Sequence, residues 1–111
     1  MKTSDKIRRQ LAENPIILYM KGTPDQPRCG FSAKAARCLE ATGIPFAYVD
    51  VLSAPLIMQA LPEVSDFPTF PQLFVNGEII GGSDIIEEMS NSNELVPLLQ
   101  SSLPSGQHYG S

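Results

Sequence analysis

Cys29 is the side chain best placed to do chemistry in this sequence. It follows a loop carrying glycine and two prolines, Gly22-Thr-Pro-Asp-Gln-Pro-Arg28, and stands where helical composition resumes. At such a junction the unpaired N–H groups and the positive dipole end of the helix face the sulfur and favour the thiolate. Neighbouring Arg28 adds a cation, weakened by screening if it is exposed. The competing reading is an inert buried thiol, as most free cysteines are, although the turn residues on either side make burial awkward. A dithiol oxidoreductase needs a second thiol one helical turn later to attack the mixed disulfide formed on the first. Here that position is Ser32, whose hydroxyl is too weakly acidic for the task. The other cysteine, Cys38, is nine residues on, which on a helix is the opposite face and roughly 13 Å along the axis. That exceeds the ceiling of about 7 Å between disulfide-bonded Cα atoms, so Cys38 reads as a small core hydrophobe.

The elements that would position this thiolate follow from local pattern. Residues 4–13 form an amphipathic helix with Ile7 and Leu11 on one face, Ser4 or Asp5 as its cap and Asn14-Pro15 as its stop. Residues 16–20 are a buried strand, and residues 31–41 a helix closed by Gly43 and Pro45. A second strand at 46–50 would lie parallel to the first, because a crossover helix joins them. A helical stretch over 54–61 and the proline-punctuated segment 67–71 come next. Strands 72–75 and 78–80 flank Asn76-Gly77, a strong signal for a two-residue hairpin. Ser83 or Asp84 can cap a helix running to Met89, and Asn93 can start a last one holding Leu95, Leu98 and Leu99. A parallel pair followed by a hairpin fits a thioredoxin-like α/β fold, a four-stranded mixed sheet with helices on both faces. Residues 1–103 are expected to form one domain, and 104–111, small and polar, a flexible tail.

Composition narrows the function classes. With 111 residues and 42% apolar content, the chain can bury one modest core. No apolar run approaches the roughly 20 residues that span a bilayer, and the polar start lacks a signal peptide's apolar segment. Two cysteines do not make a disulfide scaffold, so a reducing compartment, the cytoplasm, is the expected location. A formal charge of −4 with scattered Lys and Arg gives no footprint for nucleic acid.

The segment Met20-Lys-Gly-Thr-Pro-Asp-Gln-Pro-Arg-Cys-Gly-Phe-Ser32 resembles the signature of CGFS-type monothiol glutaredoxins, long loop included. Phe67-Pro-Thr-Phe-Pro-Gln-Leu-Phe-Val-Asn-Gly77 and Gly81-Gly-Ser-Asp84 resemble the family's later motifs in the same order, so the likeness runs from about Ile7 to Leu99. The resemblance implies glutathione binding. Lys21 would meet the glycine carboxylate, and the Thr69-Phe70-Pro71 segment, with Pro71 cis, would offer the Phe70 backbone to the cysteinyl part. Gly82, Ser83 and Asp84 would take the γ-glutamyl end, where a helix N-terminus suits a carboxylate and Asp84 an ammonium. A plain helix cap is the alternative reading for Ser83 and Asp84.

The chain departs from the family at two positions. Met58 and Glu63 stand where relatives often carry cations, which should weaken glutathione binding, with Gln59 as a neutral substitute donor. Ser83 also occupies a position where many relatives carry a cysteine.

A [2Fe-2S] cluster needs four ligands, and one chain supplies a single well-placed thiolate. Two chains and two glutathiones would complete the set, making a homodimer bridged by the cluster, with Cys29 as the metal ligand of each chain. The resemblance implies delivery of such clusters to apo iron-sulfur proteins and partnership with a BolA-like protein. Three functions compete: cluster carrier, glutathione-dependent thiol-disulfide oxidoreductase using Cys29 alone, and non-catalytic adaptor. The long loop and the lack of a second active-site thiol favour the first. His108, isolated in the tail, is not expected to bind metal.

Overall fold

The computed structural model describes residues 2–103; the expected tail, 104–111, lies outside them, as does His108. The elements are α1 (Thr3–Glu13), β1 (Ile16–Met20), α2 (Gly30–Ala41), β2 (Ala47–Asp50), a 3-10 turn (Val51–Ser53), α3 (Pro55–Ser65), β3 (Gln72–Val75), β4 (Glu78–Gly81), α4 (Ser83–Asn91) and α5 (Leu95–Ser101). Four strands form one sheet in the order β2-β1-β3-β4.

All five residues of β1 are buried, because the strand is central and both its faces are covered. Its alternation sorts the core into two halves. Ile16, Leu18 and Met20 join Leu73, Val75, Leu39 and Ile86 on the face covered by α2, α4 and α5. Ile17 and Tyr19 join Phe74, Ile7, Ile57 and Leu61 on the face covered by α1 and α3. Tyr19 packs edge-on to Phe74, with ring centroids 5.6 Å apart, and its hydroxyl donates to Gln10 Oε1 at 2.8 Å.

β1 and β2 are parallel across the α2 crossover, while β1–β3 and β3–β4 are antiparallel. The β3–β4 turn places Asn76 at φ 51° and Gly77 at φ 79°, the positive pair of a type I′ hairpin. The thioredoxin-like arrangement expected from the residue pattern is therefore the observed one.

Several local expectations are corrected. α1 starts one residue early, with Lys2 at its N-cap and no side-chain cap, because the burial of Ile7 rather than a capping bond holds its first turns. α3 continues through Pro62 to Ser65, its C-cap Asp66 adopting left-handed φ 55°, since Ile57 and Leu61 anchor it to the sheet. Gly82, not Ser83 or Asp84, is the N-cap of α4, and no side chain caps that helix. The last helix starts at Leu95, because Asn93 is left-handed at φ 62°.

Topology also decides what meets at one end of the sheet. β1, β2 and β4 all run the same way, so their C-terminal ends and the N-terminal end of β3 share an edge. Asp50 ends β2 at that edge, and the residues just beyond it are Lys21, Pro71 and Gly82.

Candidate functional site

A groove of about 920 Å³ opens along this edge. Lys21 and Cys29 line it from the loop after β1, Thr69, Phe70 and Pro71 from the segment before β3, and Gly82, Ser83 and Asp84 from the start of α4. The Phe70–Pro71 bond is cis, as the resemblance implied. Apolar walls complete the groove: Met58 and Pro62 from α3, Phe67 and Pro68, Ile80 and Ile85, and the ring of Phe31. Gln59 and Glu63 are exposed on α3 and do not line the groove.

The loop before Cys29 is a small closed structure. Gly22 pairs with Pro27, the Arg28 N–H donates to Lys21 O at 2.9 Å, and Thr23 and Gln26 exchange backbone bonds at 3.1 and 3.2 Å. It is pinned to the end of β2 by Asp50, whose Oδ1 accepts from the N–H groups of Gly22 (2.9 Å) and Leu52 (3.0 Å) while Oδ2 accepts from the Ser53 hydroxyl (3.0 Å). Partial desolvation pushes the Asp50 carboxyl up, but the bonds from Gly22, Ser53 and Leu52 outweigh it and hold the group below its ordinary value. The local bonds to Leu52 and Ser53 were signalled in the sequence by a strand-ending Asp three residues before a Ser, an N-cap pattern, whereas the bond to Gly22 had no such signal.

Cys29 is the N-cap of α2, partly exposed and free of any disulfide. Its thiol is held below the ordinary value. The Ser32 N–H is the leading cause; desolvation opposes it, and the Phe31 N–H, the Ser32 hydroxyl and the charge of Lys21 reinforce it. The cation acting on the sulfur is thus Lys21, whereas Arg28, considered from its adjacency, is exposed, where its charge is screened. Ser32 is fully buried, and its hydroxyl oxygen also accepts from the Lys21 N–H at 3.1 Å. It therefore ties the lysine backbone to the sulfur's surroundings, a role that its spacing from Cys29 announced only as a missing thiol. Cys38 is half-buried against the core on the α2/α4 face and is also free, in keeping with a packing role.

Across the groove, Gln72 is buried in β3 and donates from Nε2 to the carbonyls of Phe67 (2.9 Å) and Thr69 (3.0 Å), shaping the segment that carries Phe70 and Pro71. The Phe70 N–H and C=O have no hydrogen-bond partner among the described residues. Ser83 is buried and Asp84 exposed in the first turn of α4. Neither the Lys21 ammonium nor the Asp84 carboxylate has an ion-pair partner among the described residues. They follow strands two places apart in the sheet, a separation of roughly 10 Å at ordinary strand spacing. An extended tripeptide has about that reach. The groove can therefore receive an extended zwitterion beside the Cys29 sulfur.

Among the described residues no group of three or more His, Cys, Asp or Glu could hold a metal ion, and Cys29 is the one cysteine among them that lines this groove. No helix among them is long and apolar enough to cross a membrane.

Comparison with known proteins agrees with this geometry. A family profile described as glutaredoxin matches residues 16–80. The chain is 63% identical over 84 residues to a probable monothiol glutaredoxin, GrlA, of Legionella pneumophila, covering 76% of this chain and 94% of the relative. It is 55% identical over 98 residues to glutaredoxin 4 of Escherichia coli K12, covering 88% and 85%. Among solved structures, reduced apo GrxS14 of poplar superposes with a TM-score of 0.77 at 37% identity, over 89% of this chain and 91% of that one. A buckwheat glutaredoxin in complex with glutathione superposes at 0.78 over 90% and 89%, and at 22% identity it shows the shared fold alone.

Proposed function

Since the chain belongs to the glutaredoxin family, in its monothiol branch, we propose that it binds glutathione in the groove and uses Cys29 as one ligand of a [2Fe-2S] cluster that it carries as cargo. The observation that carries the reading is a depressed thiol at the mouth of a groove whose only lining cation and only lining carboxylate, among the described residues, are both unpaired.

Glutathione has complementary parts. Lys21 meets its glycine carboxylate, the free Phe70 N–H and C=O pair with its cysteinyl backbone like an added strand, and Asp84 meets its ammonium. The N–H groups of Gly82 and Ser83 at the start of α4 meet the γ-glutamyl carboxylate. Thr69 and Pro71 shape the wall opposite Cys29. Gln59, next to Met58 in α3 but outside the groove's lining, would have to reach in from the surface to serve as a neutral donor.

One thiolate per chain cannot hold a cluster of this kind. The remaining ligands come from the thiol of each bound glutathione and from Cys29 of a second copy, giving a homodimer joined mainly through its cargo. Half of those ligands are small molecules held without covalent bonds, which suits transfer to apo iron-sulfur proteins or exchange with a BolA-like partner. The two free thiols fit the reducing cytoplasm.

Anaerobic reconstitution with iron, sulfide and glutathione tests the proposal. A [2Fe-2S] absorption spectrum and a dimeric mass that both require glutathione and Cys29 are expected. A colourless monomer with brisk glutathione-dependent disulfide reductase turnover would replace the carrier by the one-thiol oxidoreductase, in which Cys29 accepts glutathione from a mixed disulfide and a second glutathione releases it.

A further inference from the structure

The two ends of the groove are not equally equipped. At one end the buried Ser83, the N–H groups opening α4 and Asp84 are fixed to a helix of nine residues, and in the middle the Phe70 backbone is held by Gln72 bonding its neighbours. At the other end Lys21 is the one cation among the described lining residues, and its ammonium sits on a flexible four-carbon stem. The part of α3 that lines the groove is Met58 and Pro62, both apolar, so α3 adds no second cation to the lining, and Glu63, the residue after Pro62, is exposed and outside it.

Building on the glutathione reading above, we propose that the groove grips the γ-glutamyl and cysteinyl parts of its ligand and reads the glycine carboxylate only loosely. Tripeptide thiols whose glycine carboxylate is blocked as a neutral amide are then accepted almost as well as the free acid. An ion pair between a ligand carboxylate and one solvated lysine is worth at most about fivefold in affinity. Strong discrimination would need a planar, bidentate cation held on a rigid element, and Met58 stands on the α3 wall where such a group could project.

The test uses S-methylglutathione and its glycine amide, which bind without thiol exchange, titrated into the full chain and followed by NMR shifts or calorimetry. The same titrations are made with Met58→Arg and with Glu63→Lys, the second at an exposed position where folding is not at risk, because Met58 also packs against the core. The wild type is expected to prefer the acid by fivefold or less, and the preference is expected to rise in at least one folded variant. A wild-type preference above fivefold, or no rise in either variant, overturns the inference while leaving glutathione binding intact. Failure of the acid itself to bind overturns the glutathione reading and this inference with it.

Discussion

Gly22 is the hinge on which the placement of Lys21 and Cys29 turns, and Gly22→Ala is the most exacting perturbation of that geometry. Gly22 adopts φ +90°, and a Cβ there would lie 2.5 Å from Gln26 O and 2.7 Å from Arg28 N. Both are backbone atoms, held by the Thr23–Gln26 bonds and by Arg28 N–H to Lys21 O, so neither can retreat without breaking a bond. Gly77 is the control: it adopts φ +79°, yet a Cβ there would meet nothing within 4 Å. The left-handed strain common to both costs about 1 kcal/mol. That cost is net of the smaller gain from the lost unfolded-state freedom of glycine, which is common to both. At Gly22 the overlap adds roughly two hydrogen bonds, at about 1 kcal/mol each. Gly77→Ala should therefore lower Tm by about 4 °C and Gly22→Ala by about 12 °C, at roughly 4 °C per kcal/mol for a chain of this size. Thermal unfolding followed by circular dichroism reads both. Displacement of Lys21 should also raise the pH at which Cys29 ionises in Gly22→Ala and leave it unchanged in Gly77→Ala. Equal melting losses, or an unmoved thiol in a folded Gly22→Ala, would show that the closed loop does not hold the site.

Three further outcomes follow from single side chains. Ser32→Ala removes the hydroxyl that accepts from Lys21 N–H and bonds the Cys29 sulfur, so the pH midpoint for alkylation of Cys29 should move upward when measured in a Cys38→Ser background, while Ser32→Thr should recover part of the shift. Asp50→Ala should lower stability at pH 7, and the sign of its pH dependence is fixed by the depressed folded value. That contribution is fully present above the unfolded value of about 3.9 and disappears as pH falls through the folded one, so the gap between wild type and variant in urea melts should close below about pH 4. Tyr19→Phe leaves the Gln10 Oε1 acceptor without its donor and should cost about 1 kcal/mol in denaturant midpoint, with no change in Cys29 reactivity, since Tyr19 lies in the core on the α1/α3 face.

Most of the architecture was legible because its signals are local. Gly and Pro bracket the strands, Asn76-Gly77 makes the hairpin, and a crossover helix between two apolar strands leaves only a parallel pairing. Element ends were less legible. Ser83 and Asp84 have the chemistry of caps, but Gly82 takes that position because the chain leaves β4 at Gly81 with φ +150° and turns one residue sooner.

For this protein, then, the residue pattern by itself determined the order of elements, the presence of one helix-opening thiol without a resolving partner, and the motifs that mark the groove. Those properties depend on neighbours a few positions apart. Tertiary structure alone decided that Lys21 rather than Arg28 bears on the sulfur, that Asp50 pins the loop before Cys29 from 28 residues away in sequence, and that Gln59 and Glu63 stand outside the groove while Met58 lines it. Each of these is a question of which side chain faces which, settled where the ends of separate strands meet at one edge of the sheet, and spacing along a chain carries no record of that meeting.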